Sequence, residues 1–313
     1  MLRSSIGVLL TVLSGCSSQA NLGGEEQPIG GRLRGLASRE TITLQNNAGD
    51  RLTLSSNGSF TFPTPVASGA TYSVTIMTLP SSPIEQACSV SNASGVVGGS
   101  PVASITVDCD LLAYFPFQGN ANDASGYGND AIVVGATLAS DRNGTPDSAY
   151  SFAGVGSIQA TMPKGFLPNG SEARTLTAWI EPAQTTRILG LVYFGADNCT
   201  GQIFGLGDLG DQATFWGGCN DYTSLLRLPI GSWSFFAIVY TPTIPTQITL
   251  YVDNRSATGP IVAPTTPDVG TLVIGADLVN AGPSFTGKID SVHVYGRALN
   301  PAEMQSIYMS PEP

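Results

Sequence analysis

Phe285-Thr-Gly-Lys-Ile-Asp-Ser-Val-His-Val-Tyr295, then Gly-Arg-Ala-Leu, then Asn300-Pro-Ala-Glu-Met-Gln-Ser-Ile-Tyr308 is the most informative run in this chain. Its first part alternates as a β-strand does. Asp290, Val292 and Val294 fall on one face, and Ile289, Ser291, His293 and Tyr295 on the other. Its last part predicts one short helix. Asn300 has the side chain of an N-cap, Pro301 suits the first helical position, and Glu303 is the reciprocal capping-box partner.

Upstream, alternating runs broken by Gly, Pro and Asn continue for most of the 313 residues, which predicts an all-β chain. Only 12% of residues are charged, and 13 Lys+Arg stand against 23 Asp+Glu for a formal charge of −10. Such a surface repels a phosphate backbone, so nucleic acid is excluded as a partner class, whereas divalent cations and neutral glycans remain compatible.

Residues 1–15 read as a signal peptide: Arg3 is basic, Ile6–Leu13 is apolar, and Leu13-Ser-Gly-Cys16 follows. The apolar stretch is too short to span a bilayer. Leu-Ser-Gly-Cys resembles a bacterial lipobox, which implies a diacylglyceryl anchor on Cys16. Ser17 after it implies outer-membrane sorting in a Gram-negative cell. Residues 16–39 lack a hydrophobic period and read as a flexible tether.

Setting Cys16 aside leaves four cysteines in an exported chain. Cys199 and Cys219 are equidistant from the turn signal Gly207-Asp-Leu-Gly-Asp211. Cys88 and Cys109 are equidistant from Gly98-Gly99. Zipping outward from each turn predicts the bridges Cys88–Cys109 and Cys199–Cys219.

Residues 40–110 form a small unit of alternating segments, read as an immunoglobulin-like β-sandwich acting as a spacer, with Asn57-Gly58 as a two-residue hairpin between Leu54 and Phe60. Residues 111–313 open with Leu112-Ala-Tyr-Phe-Pro-Phe117 and the polar loop Gln118–Asp130. They continue through Ala149–Gly154, Ser157–Ala160, Leu176–Ile180, Trp233–Tyr240, Ile248–Asp253 and Leu272–Gly275 to the closing strand and helix. In that order these segments resemble laminin G-like domains of the concanavalin A-like lectin/glucanase superfamily. The resemblance implies a jelly-roll β-sandwich with a short C-terminal helix.

Three kinds of chemistry are open to such a chain. Calcium takes six to eight oxygens from Asp, Asn and carbonyl groups. Asn120, Asn122, Asp123 and Asp130 crowd one loop, and the resemblance places Asp290 near the first strand of the domain. Asn120, Asp123 and Asp290 are therefore the expected ligands. Trp216, Asn220, Asp221 and Tyr222 beside Cys219, with Asp197 and Asn198 beside Cys199, form an expected glycan-binding patch pinned by the bridge. Trp179 and Trp233, inside alternating apolar strands, are expected in the core. For catalysis, the paired carboxylates of a retaining glycosidase sit about 5–5.5 Å apart. Glu172 and Glu181 are isolated in sequence, and His293 is the only histidine. The expectation is a non-catalytic, lipid-anchored envelope protein that binds a glycan or protein ligand. The alternatives are a glycan-processing hydrolase or its carbohydrate-binding subunit, and a purely structural envelope component.

Overall fold

A computed structural model describes residues 24–37, 39–81, 86, 88–184, 187–196, 199, 201–267, 270–278 and 285–310. The signal segment, Cys16, Asp197 and Asn198 lie outside the described residues. Among the described residues the architecture is all-β with one C-terminal helix, Pro301–Met309.

The first unit is a two-sheet sandwich. One sheet runs Gly58–Thr61, Ile29–Arg34, Val102–Cys109, Cys88–Ser91, and the other Asp50–Leu54, Ile42–Asn46, Thr71–Thr78, Ser94–Val96. Ile29, Leu33, Phe60, Ile105 and Val107 from the first meet Ile42, Leu44, Tyr72 and Val74 from the second in one buried cluster. Cys88 and Cys109 are bonded and stand opposite each other in the ladder.

Two expectations change here. Residues 24–37 are not tether. Ile29–Arg34 is a strand between two others, parallel to Val102–Cys109 and antiparallel to Gly58–Thr61. Gly30-Gly31 hides it in the sequence, yet a Cβ at Gly31 would run into the Ile105 carbonyl, so glycine is what lets the strands approach. Nor is Asn57-Gly58 a hairpin turn. Asp50–Leu54 and Gly58–Thr61 lie in different sheets, and the chain crosses between them. The Asn57 side chain accepts from the Leu36 N–H and donates to the Leu36 and Ala124 carbonyls.

Asp110 alone separates Val102–Cys109 from Leu111–Phe115, the first strand of the second unit. Its carboxylate accepts from Gln86 and pairs with Arg297, which also holds Glu303 at 2.6 Å. Further ties cross the junction: Gly35 N–H donates to the Ser125 carbonyl, and Tyr127 hydroxyl to that of Cys109. The boundary is a joint bonded on several sides.

The second unit stacks two large sheets. One runs Thr137–Ala139, Ala149–Ala153, Thr286–Tyr295, Arg174–Pro182, Ser234–Thr241, Gln247–Val252, Arg255–Pro260. The other runs Ala131–Val134, Ser157–Thr161, Thr271–Ile274, Arg187–Gly195, Ile203–Leu209, Gln212–Trp216, Tyr222–Arg227. Between them lies the main core, including Phe115, Phe152, Leu176, Phe204, Phe215, Ile238 and Val294. The first sheet is apolar on its outer face too. Leu111, Tyr114, Phe235, Ala237, Val239 and Tyr295 gather there under Leu299, Met304 and Ile307. Strands buried on both sides read as nearly continuous apolar runs, as Ser234–Thr241 does. The helix starts as its sequence predicts: Asn300 accepts from Ala302 and Glu303 N–H, and Glu303 accepts from Asn300 N–H.

The closing strand departs from simple alternation. Trp179 stands opposite Asp290 and Thr177 opposite His293, so the strand carries one extra residue there, with Ser291 at φ 51°. Such a bulge resets which side chains face inward. Ile289, Val292 and Val294 all point into the core. Asp290, expected on the Val292 face, lies instead on the outer face beside Arg142.

Candidate functional site

Cys199 and Cys219 are bonded as predicted, but by a different geometry. The turn is Gly210-Asp211, both with positive φ, rather than Gly207–Asp211. Gly207 and Asp208 continue the strand, and the bridge closes in the loops beyond both strand ends.

The patch expected around that bridge is structural. Trp216 is 2% exposed, packed with Tyr193, Ile203, Val273 and Ala276, so it presents no face to a ligand. Asn220 donates to the Val262 carbonyl at 2.7 Å and accepts from its N–H at 2.8 Å. Asp221 accepts from Gly217 N–H at 2.8 Å, and the Tyr222 ring packs against Gly259 and the main core. These residue types close loops here, as they do wherever Asn and Asp side chains satisfy local backbone groups.

The calcium set is likewise committed elsewhere. Asp123 Oδ1 accepts from the N–H groups of Tyr114 (3.2 Å) and Ser125 (2.9 Å), and Oδ2 from Ser125 hydroxyl (2.8 Å) and Asn129 N–H (3.1 Å). Asn120 caps its own turn, donating to the Gln118 carbonyl and accepting from Asn122 N–H. Asp290 holds the Arg142 guanidinium at 2.9 Å. A carboxylate carrying four donors and one facing a guanidinium do not fit a shared calcium ion. Among the described residues no group of three or more His, Cys, Asp or Glu could hold a metal. We expect Asp123→Ala to cost on the order of 2–4 kcal/mol, because it strips buried donors of a charged acceptor. Urea unfolding of Asp123→Ala measures that cost, and a wild-type melting temperature that rises with calcium would contradict the structural assignment of the carboxylate.

The carboxylates weighed for catalysis also have structural partners. Glu172 accepts from Asn169 N–H at 2.9 Å, and Glu181 pairs with Lys288 at 3.2 Å.

The feature that spacing did not reveal is a cleft of about 470 Å³ on the outer face of the first sheet, beside the end of the helix. Arg142, Asn143, Trp179, Trp233, Tyr308, Met309 and Ser310 line it. Trp179 is on the outward phase of its strand, opposite in phase to the core residues Leu176, Ala178 and Ile180. Trp233 precedes the strand in which Phe235 faces outward. Both rings are half-buried rather than core. Tyr308 stacks on Trp179 at 5.8 Å between centroids and 20° between planes. Phe235 supports both rings. The Arg142 guanidinium lies 4.4 Å from the Trp179 ring centre, a cation–π contact, and also donates to the Ser310 carbonyl. Lys288 Nζ is 5.9 Å from the Trp233 ring. The strand phase was a usable signal for Trp179; nothing local pointed to Arg142, whose partner is 148 residues away.

Residues 154–305 match the family described as the concanavalin A-like lectin/glucanases superfamily. No curated protein matches the sequence. Among solved structures, the chain is similar to domain 4 of AbnA, a GH43 extracellular arabinanase from Geobacillus stearothermophilus in complex with arabinotriose. Identity is 18%, coverage 64% of this chain and 98% of that one, and the TM-score 0.51. It is similar as well to the binding domain of Paraclostridial Mosquitocidal Protein 1, with 16% identity, coverage of 64% and 52%, and a TM-score of 0.50. A mutant of Trypanosoma rangeli sialidase displaying trans-sialidase activity gives 18% identity, coverage of 64% and 33%, and a TM-score of 0.50. At these identities the likeness establishes the fold. The matched region spans about half of the mosquitocidal binding domain and a third of the sialidase.

Proposed function

We propose that this chain is a non-catalytic binding protein, anchored to a bacterial envelope through lipid on Cys16, whose second unit captures a glycan or protein ligand. The observation that carries the reading is the aromatic cleft: three half-buried rings open to solvent on one side, of which Trp179 and Tyr308 are fixed by stacking on each other and Trp179 by a guanidinium. Fixed aromatic faces favour binding because little side-chain freedom is lost when a ligand lands on them. The structural duties of Glu172, Glu181, Asp123 and Asp290 support binding over hydrolysis, since a glycosidase needs two carboxylates poised across one bond. Calorimetry of the full chain against a panel of oligosaccharides and envelope protein fractions tests the reading; absence of any saturable heat would sink it.

For the anchor, Cys16→Ser is expected to move the protein from the membrane to the soluble fraction of expressing cells. Intact mass of the wild-type chain should include a diacylglyceryl group. An unmodified Cys16 in membrane-derived protein would remove this part.

A second reading, a glycan-processing hydrolase or its carbohydrate-binding subunit, draws on the likeness to nearly the whole of an arabinanase domain. Release of reducing ends from arabinan by the purified chain would favour it.

A further inference from the structure

We infer that the cleft between Trp179, Trp233 and Tyr308 takes a neutral saccharide, with a sugar ring stacked against Trp233 and Tyr308 and its hydroxyls met by Asn143 and Ser310. This rests on the binding reading above and names the ligand class for it.

Size is the first argument. At about 470 Å³ the cleft is in the range of small-ligand pockets, and its walls mix apolar ring faces with few polar groups. A pyranose or furanose has that same mixture, C–H groups on one face and hydroxyls around the edge. Rigidity is the second. Tyr308 is held against both Trp179 and Phe235, so one of the two rings on which the sugar would stack is fixed in advance. Asn143, exposed at the mouth, brings both an amide donor and a carbonyl acceptor, the pairing that a hydroxyl uses.

Charge selects the neutral class. The two cations that touch the cleft's tryptophans already have a carboxylate: Arg142 has Asp290 at 2.9 Å, and Lys288 has Glu181 at 3.2 Å; exposed Arg39, at the rim, donates to the Ser310 hydroxyl at 3.1 Å. Asp290 is 3% exposed in its side chain, so an acidic sugar would approach a guanidinium whose charge is already compensated from beneath. The formal charge of −10 disfavours a carboxylated ligand over the chain as a whole, and Arg39 is the rim cation against which the acidic arm of the test is directed.

The test titrates the full chain with arabinotriose, cellotriose and, as the acidic arm, trigalacturonate, following tryptophan fluorescence and heat. A neutral trisaccharide should saturate the signal. Trp233→Ala should weaken binding by about tenfold or more, with the melting temperature retained. Should Trp233→Ala fold poorly, Asn143→Trp, which fills the mouth from an exposed position, should block binding equally. Neutral sugars that bind both variants as tightly as the parent would overturn the site while leaving the binding function intact. Preference for trigalacturonate would overturn the neutral class. No binding of any saccharide at millimolar concentration would remove the proposal and leave only a protein ligand.

Discussion

At about pH 8 the Asp208→Asn variant is expected to melt well above the parent chain, and at about pH 4 the two should nearly coincide. Asp208 lies on the inward phase of Ile203–Leu209, with Phe204 and Leu206, and is 2% exposed. Its Oδ1 has no hydrogen-bond partner among the described residues. Burial pushes its carboxyl up to about 7; an N–H from Asp211 offsets part of this, and the Asp211 charge adds to the rise. Because the folded pKa lies above the unfolded one, the folded chain holds a proton that the unfolded chain releases. Below about pH 4 both states are protonated and nothing changes. Between about pH 4 and 7 folding stability falls as pH rises, and above that window the loss is complete. The full difference is on the order of 4 kcal/mol, at 1.36 kcal/mol per unit. The amide that replaces the carboxyl cannot ionise, so the variant should lose this slope. Melts at half-unit intervals decide the matter: parallel curves for variant and parent across the window would refute the buried-carboxyl account.

Arg142→Met should be the most damaging single change near the cleft, at about 3–5 kcal/mol, because it leaves the Asp290 carboxylate buried without its guanidinium. It also removes the cation from the Trp179 ring and a donor from the Ser310 carbonyl. The double variant Arg142→Met with Asp290→Asn should recover much of the loss, since the uncompensated charge goes with the second substitution. Equilibrium urea unfolding of both variants measures this. A double variant no more stable than Arg142→Met would show that packing on Trp179, rather than charge, holds this corner together. The separation matters for function, because the same guanidinium fixes the ring that floors the cleft.

The capping box at Asn300–Glu303 was legible because every participant lies within four residues, and local hydrogen-bond chemistry does not need the rest of the molecule. Both disulfide pairings were legible as well, though the second for an incomplete reason: the turn is two residues long, and the cysteines meet outside the ladder. The strand hidden at Gly30-Gly31 was illegible because Gly31 serves a close approach to Ile105 and Gly30 one to Phe60, partners far along the chain. Trp216 looked like a ligand residue because its polar neighbours Asn220 and Asp221 looked available. They are bonded to Val262 and Gly217.

The closing strand and helix show where the division falls. Alternation and capping in residues 285–308 define an all-β sandwich finished by one helix, since both depend on neighbours in the chain. Where Asp290 points was settled by a bulge, and a bulge exists only through the partner strand that it is out of step with. That one extra residue puts Asp290 under Arg142 and next to the Trp179 strand, so the cleft, and with it the proposed binding site, belongs to the tertiary structure alone.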